Sequence, residues 1–497
     1  MHQYLATIGL EIHIELKTDR KMFCDCLNNS EEKRPNFNIC PICLGHPGTL
    51  PKPNKEAIKS VLKLGSALNC KIREISKFDR KNYFYPDLPK GYQISQYDMP
   101  FCENGYLEIP FINPQTNLFD FKKIRIRRIH LEEDTGRLIH ENNKTYVDFN
   151  RAGVPLAELV TEPDIHSAEE AKRFCEELQL IIRYLKIANA DMEKGEMRCE
   201  VNISLQKEGE KELGTKVEIK NLNSFKAVEE AIKYEIERQI DLLEKGEKIV
   251  QETRGWDEKS QKTVSQRKKE EAHDYRYFSE PDLKPINTNE EFDLEAIKRE
   301  VPELPNDKRL RFMKDFGFKP KEIEELIYNF ELANYFEEVV MELDALKPTD
   351  GKNRERRIKL TYNYLITDLK ALMIEKNCKV ADLKIPSNHF ALLINFIDED
   401  KISSAAAKAV LAEIFETGAN PEVIIKEKNL FQVSDTSEID EVVKKVIASN
   451  PNPVADYHKG KANALQFLVG QVMRETKGRF NPNIVQERLK LFLTKNK

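Results

Sequence analysis

The apolar residues of this chain change their spacing near residue 294, and no other feature limits the possible architectures as much. Up to about residue 293, apolar and polar residues alternate in short runs set among Pro and Tyr, the period-two pattern of strands with one buried face. Beyond it they recur every three or four residues. In "SEIDEVVKKVIASNP", Ile439, Val442, Val443, Val446 and Ile447 make one apolar helix stripe. This order predicts an α+β chain, strand-rich with inserted helices at the N-terminus and all-α afterwards. At 497 residues the chain exceeds one ordinary core, so we expect domains at 1–293, 294–425 and 426–497, the second division falling at the weak joint "ETGANPEVIIKEKNLFQVSD".

Local signals place the elements. Ser167 and Glu170 make a capping box at the start of one inserted helix, and Ser224 and Gly246 bracket a second. "EMRCEVNISL" and "TKVEIKNL" flank the turn segment "QKEGEKELG" as a hairpin, and Ser403 and Gly418 bound a helix of the later region.

The first strand raises the functional question. In "IGLEIHIEL" (8–16), Leu10, Ile12, Ile14 and Leu16 alternate with Glu11, His13 and Glu15, so the open face carries carboxylate, imidazole, carboxylate. A second constellation, "IRIRRIHLEEDTGRL", sets Arg125, Arg127 and Arg128 before His130, Glu132, Glu133 and Asp134. Adjacent acids repel unless solvated or sharing a cation, and arginines suit phosphate oxygens, although a charged strand end and turn would look the same. The third, "DFNRAGVPLAELV", brings Asn150 and Arg151 before a bend and then Glu158 inside an apolar run, where a lone acid either has a partner or faces water at a strand edge. Together these segments offer Glu11, His13, Glu132 or Glu133, and Glu158, an oxygen-rich set of the kind Mg²⁺ prefers, with His13 free to handle a proton.

A separate signal is "FCDCLNNSEEKRPNFNICPICLG". Cys24 and Cys26, then Cys40 and Cys43, form two tight thiolate pairs that suit tetrahedral Zn²⁺, and a site with four protein ligands is structural, not catalytic. Cys70, Cys102, Cys175, Cys199 and Cys378 are scattered and expected to be inert. Without a secretory signal the nine cysteines do not read as a disulfide framework, and no window approaches 18 apolar residues, so a cytoplasmic protein with no membrane partner is expected.

Standard nucleotide loops are missing. "GEKELGTK" lacks the Gly-Lys-Ser/Thr order and sits in a hairpin turn, and no G-x-G-x-x-G occurs. The net charge of −5 excludes a uniformly basic coat, yet residues 451–497 hold nine Lys/Arg against three Asp/Glu, a tail of +6 on a remainder of −11, which suits a polyanion.

In order along the whole chain, "IGLEIHIEL", "CPICLGHPGTLP", "FDRKNYFYPDLPKGYQISQY", "RIHLEEDTG", "NRAGVPLAELV", "EIKNLNSF", "QETRGWD" and "DYRYFSEPDL" resemble the B-subunit (GatB) family of the aspartyl/glutamyl-tRNA(Asn/Gln) amidotransferases. The resemblance implies a ligase acting in a heterotrimer. An amidase A subunit would free ammonia from glutamine, a small C subunit would clamp the pair, and the B subunit would use ATP and Mg²⁺ to phosphorylate the side-chain carboxylate of misacylated Glu-tRNA(Gln) or Asp-tRNA(Asn) before ammonia displaces phosphate. It also implies a cradle-shaped site domain with a structural Zn²⁺ knuckle, a helical domain and a tRNA-binding tail. By motif, Glu11, His13, Glu132, Glu133 and Glu158 fall to the metal and catalytic site. Arg125, Arg127 and Arg151 fall to phosphate oxygens, with Asn150, Arg198, Glu200, Asn202, Glu218, Lys220 and Asn221 to the ATP or acceptor-end pocket. Tyr83, Tyr85 and Tyr92 either stack on terminal bases or fix their loop. The chain departs from the family at Glu15, where Gln is common, and at Glu200, where Asp is common. A non-catalytic zinc-containing tRNA scaffold is the alternative; it accounts for the cysteines and the basic tail but not for the clustered acids.

Overall fold

The strand expected at residues 8–16 forms as β1 (Tyr4–Glu15). The fold is a computed structural model that describes every residue except 1–3, 30, 211, 269–274, 350, 433–435, 477–479 and 496–497. After β1 come β2 (Lys71–Ile72), β3 (Ile75–Ser76), β4 (Asp79–Asn82), β5 (Tyr92–Ser95), β6 (Cys102–Ile112), β7 (Phe119–Glu133), β8 (Arg137–Glu141) and β9 (Lys144–Asp148). They are followed by β10 (Pro155–Thr161), β11 (Met197–Lys207), β12 (Val217–Leu222), β13 (Glu252–Asp257), β14 (Lys262–Lys268) and β15 (Phe278–Ser279).

Nine of these strands make one mixed sheet in the order β14-β13-β12-β11-β1-β10-β7-β6-β2. The predicted hairpin is β11 and β12, antiparallel as its short connection demands. Only the β12/β13 pair of this sheet is parallel. Its crossover is the second inserted helix, since parallel neighbours cannot be joined by a tight turn.

Three helices cover one face of the sheet: α1 (Lys55–Ala67), α2 (Ala168–Tyr184) and α3 (Phe225–Glu244). Ser167 and Ser224 cap α2 and α3 through their side chains. The expected box at α2 closes one residue early, because Glu170 accepts from the His166 N–H. Ile8, Leu10, Ile12 and Ile14 of β1 pack in one core with Val61, Phe174, Leu178, Val228 and Ile232 of the helices. The opposite face of β1, which holds Glu11, His13 and Glu15, is turned away from this core. A small sheet, β15-β4-β5, lies over part of that open face.

The chain divides into two compact units, Met1–Leu310 and Arg311–Lys497. The change of periodicity precedes the division because the short helix Leu294–Arg299 still belongs to the first unit, where Ile297 joins the sheet's core and Val301 and Leu304 pack against it. The second unit is helical. Ser403 caps Ser404–Thr417, and Gly418, at φ +70°, ends it in the left-handed conformation. The last four helices, from Thr436 to Lys495, enclose a core of Ile439, Val443, Val446, Leu468, Val485 and Leu489, with Val442 and Ile447 at its margin. Among the described residues no helix is long and apolar enough to cross a membrane.

Candidate functional site

Strand register gathers the acids and imidazoles of three distant segments. His13 of β1 faces Glu158 of β10, Glu158 faces His130 of β7, and Leu156, two residues back on β10, faces Glu132. Period-two alternation sends Glu11, His13, His130, Glu132 and Glu158 to the same open face. The His13 Nε2 lies 3.3 Å from Glu158 Oε2, 3.6 Å from Glu132 Oε1 and 4.0 Å from Glu11 Oε1. The His130 Nε2 lies 3.3 Å from Glu158 and 3.6 Å from Glu132. A bulge at Val160/Thr161 re-aims the end of β10, and the Thr161 hydroxyl accepts the Leu10 N–H at 2.9 Å.

The charges are interdependent. Burial alone would push the Glu158 carboxyl up, but His130 and His13 hold it well below the usual carboxylate range. Burial likewise opposes ionisation of Glu132, and Lys81 of β4 with His130 keeps it low. The reciprocal effect raises the His13 imidazole to about 9, against its desolvation, through its bond and charge contact with Glu158 and the charges of Glu132 and Glu11. His130 rises to about 8, also against desolvation, mainly through Glu158 and Glu132. Burial, Glu158 and Glu200 push Glu11 up to about 7. Beside this cluster, burial and the neighbouring Asp134 carry Glu15 to about 7, while Arg198 donates to Asp134 at 2.5 Å.

Ligand atoms of Glu11, His13 and Glu158, and of His130, Glu132 and Glu158, each lie within 4.8 Å of one another. The carboxylate oxygens suit a hard divalent cation, and the buried Nδ1 of His130 has no hydrogen-bond partner among the described residues, so the donor set fits a further polar occupant.

The expected residues divide. Glu133 follows Glu132 on β7 and therefore points to the other face, where it takes a buried ion pair with Lys90 and the Ile94 N–H at 2.9 Å. Its place removes it from the acid and imidazole cluster. Arg125 and Arg127 pair with Asp164 and Glu162 near solvent. They stand five to seven residues along β7 from Glu132, about 16–23 Å away. The Asn150 side chain bonds the Phe37 and Asn38 N–H groups and the Arg34 carbonyl, so it holds the cysteine loop. Arg151 donates to the Thr135 and Gly136 carbonyls. Arg198, Glu200 and Asn202 of β11 oppose His13, Glu11 and Gly9 on the open face. Glu218 and Lys220 continue it, Lys220 reaching Glu200 at 2.8 Å and Thr253 donating to Glu218 at 2.6 Å. Asn221 sits at φ +64° in the bulge of β12, after which Leu222 pairs with Cys199.

Sequence reasoning named His130 in its constellation without assigning it to the site, and passed over Lys81 and Ser95, whose hydroxyl donates to Glu132 at 2.9 Å. Parity from Glu132 would have found His130. Lys81 and Ser95 come from the small overlying sheet, which no periodicity announces.

The four expected cysteines converge with their sulfurs within 4.8 Å. The Cys40 N–H lies 3.1 Å from the Cys43 sulfur, and fully buried Lys21 donates to the Asn38 carbonyl at 2.7 Å with its ammonium 4.0 Å from that sulfur. The Cys24 thiol and Lys21 draw Cys43 down to about 5, against its burial. Four thiols with a thiolate already favoured could bind zinc.

Residues 6–293 match the family described as the GatB/GatE catalytic domain, and residues 350–493 match the GatB domain. The chain is 47% identical, over the full length of both, to the B subunit of the aspartyl/glutamyl-tRNA(Asn/Gln) amidotransferase of Carboxydothermus hydrogenoformans. It is 47% identical to the B subunit of the Thermotoga maritima amidotransferase of the same name, over 97% of each chain. The open-faced sheet, its acid and imidazole cluster and this similarity along the whole length place the chain in the family of aspartyl/glutamyl-tRNA(Asn/Gln) amidotransferase B subunits.

Proposed function

We propose that this chain is the ATP-dependent half of a cytoplasmic heterotrimer, working with an amidase A subunit and a small C subunit on misacylated Glu-tRNA(Gln) or Asp-tRNA(Asn). The carrying observation is the convergence of Glu11, His13, His130, Glu132 and Glu158 from three adjacent strands on an open sheet face. A tRNA scaffold without chemistry has no use for buried acids where a polyanion must approach.

A carboxylate resists ammonia because the nucleophile meets negative charge and the leaving group would be oxide. Transfer of the γ-phosphoryl group of ATP to a carboxylate oxygen gives an acyl phosphate and ADP; ammonia then attacks the acyl carbon and inorganic phosphate leaves with the C–O electrons, giving the amide. Such transfer depends on positioning and charge neutralisation. Glu11, Glu132 and Glu158 would hold Mg²⁺, which when bound would neutralise phosphate charge. His13 and His130 carry N–H donors at Nε2, Lys81 brings positive charge from above, and Arg198, Glu200, Asn202, Glu218 and Lys220 extend the polar floor for the nucleotide or the acceptor end. The cysteine quartet would hold a structural Zn²⁺, and residues 426–497 would bind tRNA.

The test uses the purified complex with glutamine, Mg²⁺-ATP and each misacylated tRNA separately. Glu158→Gln should lower ADP formation at least about 100-fold, roughly 2.7 kcal/mol of barrier, while glutamine hydrolysis by the partner persists. Undiminished transamidation by this variant removes the site assignment.

A further inference from the structure

Five cysteines stand outside the quartet, and their scatter along the chain hides a pairing that the fold makes. The Cys175 sulfur of α2 lies 3.7 Å from the Cys199 sulfur of β11. Both belong to the core between helices and sheet, Cys175 fully enclosed and Cys199 2% exposed, and both are free thiols. A disulfide holds its sulfurs at about 2.05 Å, so the pair stands about 1.7 Å short of a bond.

The place of Cys199 on β11 gives such a bond a consequence. Its chain neighbours are Arg198 and Glu200, and alternation turns those two to the open face that carries the acid and imidazole cluster. There they oppose His13 and Glu11 across the β1/β11 ladder. The other edge of β11 is held less regularly at this point, because its ladder to β12 shifts register between Cys199 and Val201. Drawing Cys199 toward α2 therefore pulls Arg198 and Glu200 back from the cluster. It also stretches the Arg198 bond to Asp134, now 2.5 Å, and the Lys220 contact with Glu200, now 2.8 Å. A displacement of about 1 Å in a catalytic site can cost on the order of 100-fold in rate.

We propose that Cys175 and Cys199 form a reversible disulfide site, closed by a hydroperoxide, and that closure slows the ATP-dependent step by drawing the floor of the site toward α2. The rate effect rests on the amidotransferase reading of that site; the bond itself does not. One sulfur, as its thiolate, attacks a peroxide oxygen; the S–O bond forms, the O–O bond breaks, and the far oxygen leaves as water, giving a sulfenic acid. The second sulfur attacks the sulfenic sulfur; the S–S bond forms as the S–O bond breaks, and the hydroxyl leaves as water with the second thiol's proton. The two sulfurs give up two electrons, and hydrogen peroxide becomes two waters. The hydrogen bond with Cys175 and burial hold the Cys199 thiol well above its usual range, so the first step is slow and brief exposure leaves the pair reduced. Enclosure of both sulfurs favours an oxidant of a few atoms over a bulky disulfide, and a dithiol reductant reopens the bond by exchange.

The test holds the purified complex, metal in place, in hydrogen peroxide, then alkylates it and maps its peptides without reductant. A cross-linked peptide joining Cys175 and Cys199 is expected, lost again with dithiothreitol. The unit that carries the sheet should melt a few degrees higher while the bond is closed, since the bond ties residues 24 positions apart. ADP formation, assayed with ammonium chloride in place of glutamine so that the partner's amidase is bypassed, should fall about 10-fold and return with dithiothreitol. Cys175→Ala and Cys199→Ala should each keep their starting rate through the same treatment, which separates this pair from oxidation of the quartet. A map without the cross-link overturns the proposal, as does a cross-link formed with no change in rate, or an equal reversible loss in both alanine variants. A reduced complex that forms no ADP with either misacylated tRNA removes the enzymatic reading and the rate effect with it, while the peptide map and the melting shift still decide the bond.

Discussion

Glu132 and Glu133 are one peptide unit apart, yet the strand that carries them turns their side chains to opposite faces of the sheet. The Ser95 hydroxyl and Lys81 address Glu132, while Glu133 is enclosed with Lys90. The two should therefore fail differently when substituted. Glu132→Gln should lower ADP formation by a factor of about 100 or more, since it removes one of the carboxylates that would hold the divalent cation. Glu133→Gln should leave ADP formation within a few-fold but cost on the order of 3–5 kcal/mol of folding stability, because it leaves the Lys90 ammonium buried without its partner. Initial-rate assays and denaturant melts of the pair decide this, and equal loss of ADP formation in both variants would refute the division by face. The same parity argument shows what was legible at this scale. Alternation alone put Glu11, His13 and Glu15 on one wet face, but choosing between Glu132 and Glu133 needed the register of β7 against β10, and register is not written in either strand by itself.

Elements show a different limit. The capped helices and the β11/β12 hairpin were readable because their signals are local: a serine whose side chain takes an amide hydrogen, a left-handed glycine, a polar turn. The convergence of the four cysteines was readable from their spacing, but not what anchors their loop. Asn150 was expected near the nucleotide and instead binds three backbone groups of this loop from across the chain, and Lys21 lies buried against its sulfur side. An element fixed by so many distant contacts is part of the first unit's core, so a metal bound there would contribute folding free energy. We expect about one Zn²⁺ per chain by metal analysis and none in Cys40→Ser. The variant, or the protein stripped by a strong chelator, should unfold at a lower temperature in the unit that carries the sheet. Zinc-free protein with an unchanged melting curve would show that the quartet does not need the metal to hold its shape.

At the scale of the whole molecule, charge is distributed against the average. The chain is acidic overall, and its last 47 residues are basic. The last four helices have their own core, made only of residues between Ile439 and Leu493, so the basic surface belongs to a folded body and not to a trailing extension. A phosphate backbone held by such a body releases counterions, and its affinity falls with salt by about 0.7–0.9 in log–log slope for each phosphate contacted. Among the described residues, Lys461 pairs with Asp456 at 2.9 Å and Arg488 with Asp440, and Lys477, Arg479 and Lys497 lie outside them. Seven phosphate contacts by cations of residues 451–497 would correspond to a slope of roughly 5–6. Removing residues 426–497 from the complex should therefore weaken tRNA binding and flatten the salt dependence by about 2 or more. Lys459→Glu with Lys490→Glu should flatten it by a smaller amount without disturbing the helical core, since both side chains face solvent. Binding titrations at several salt concentrations measure both slopes. If deletion lowers affinity equally at every salt concentration, the tail contributes shape or contacts of another kind, and the +6 charge is a solvated face with no part in holding RNA.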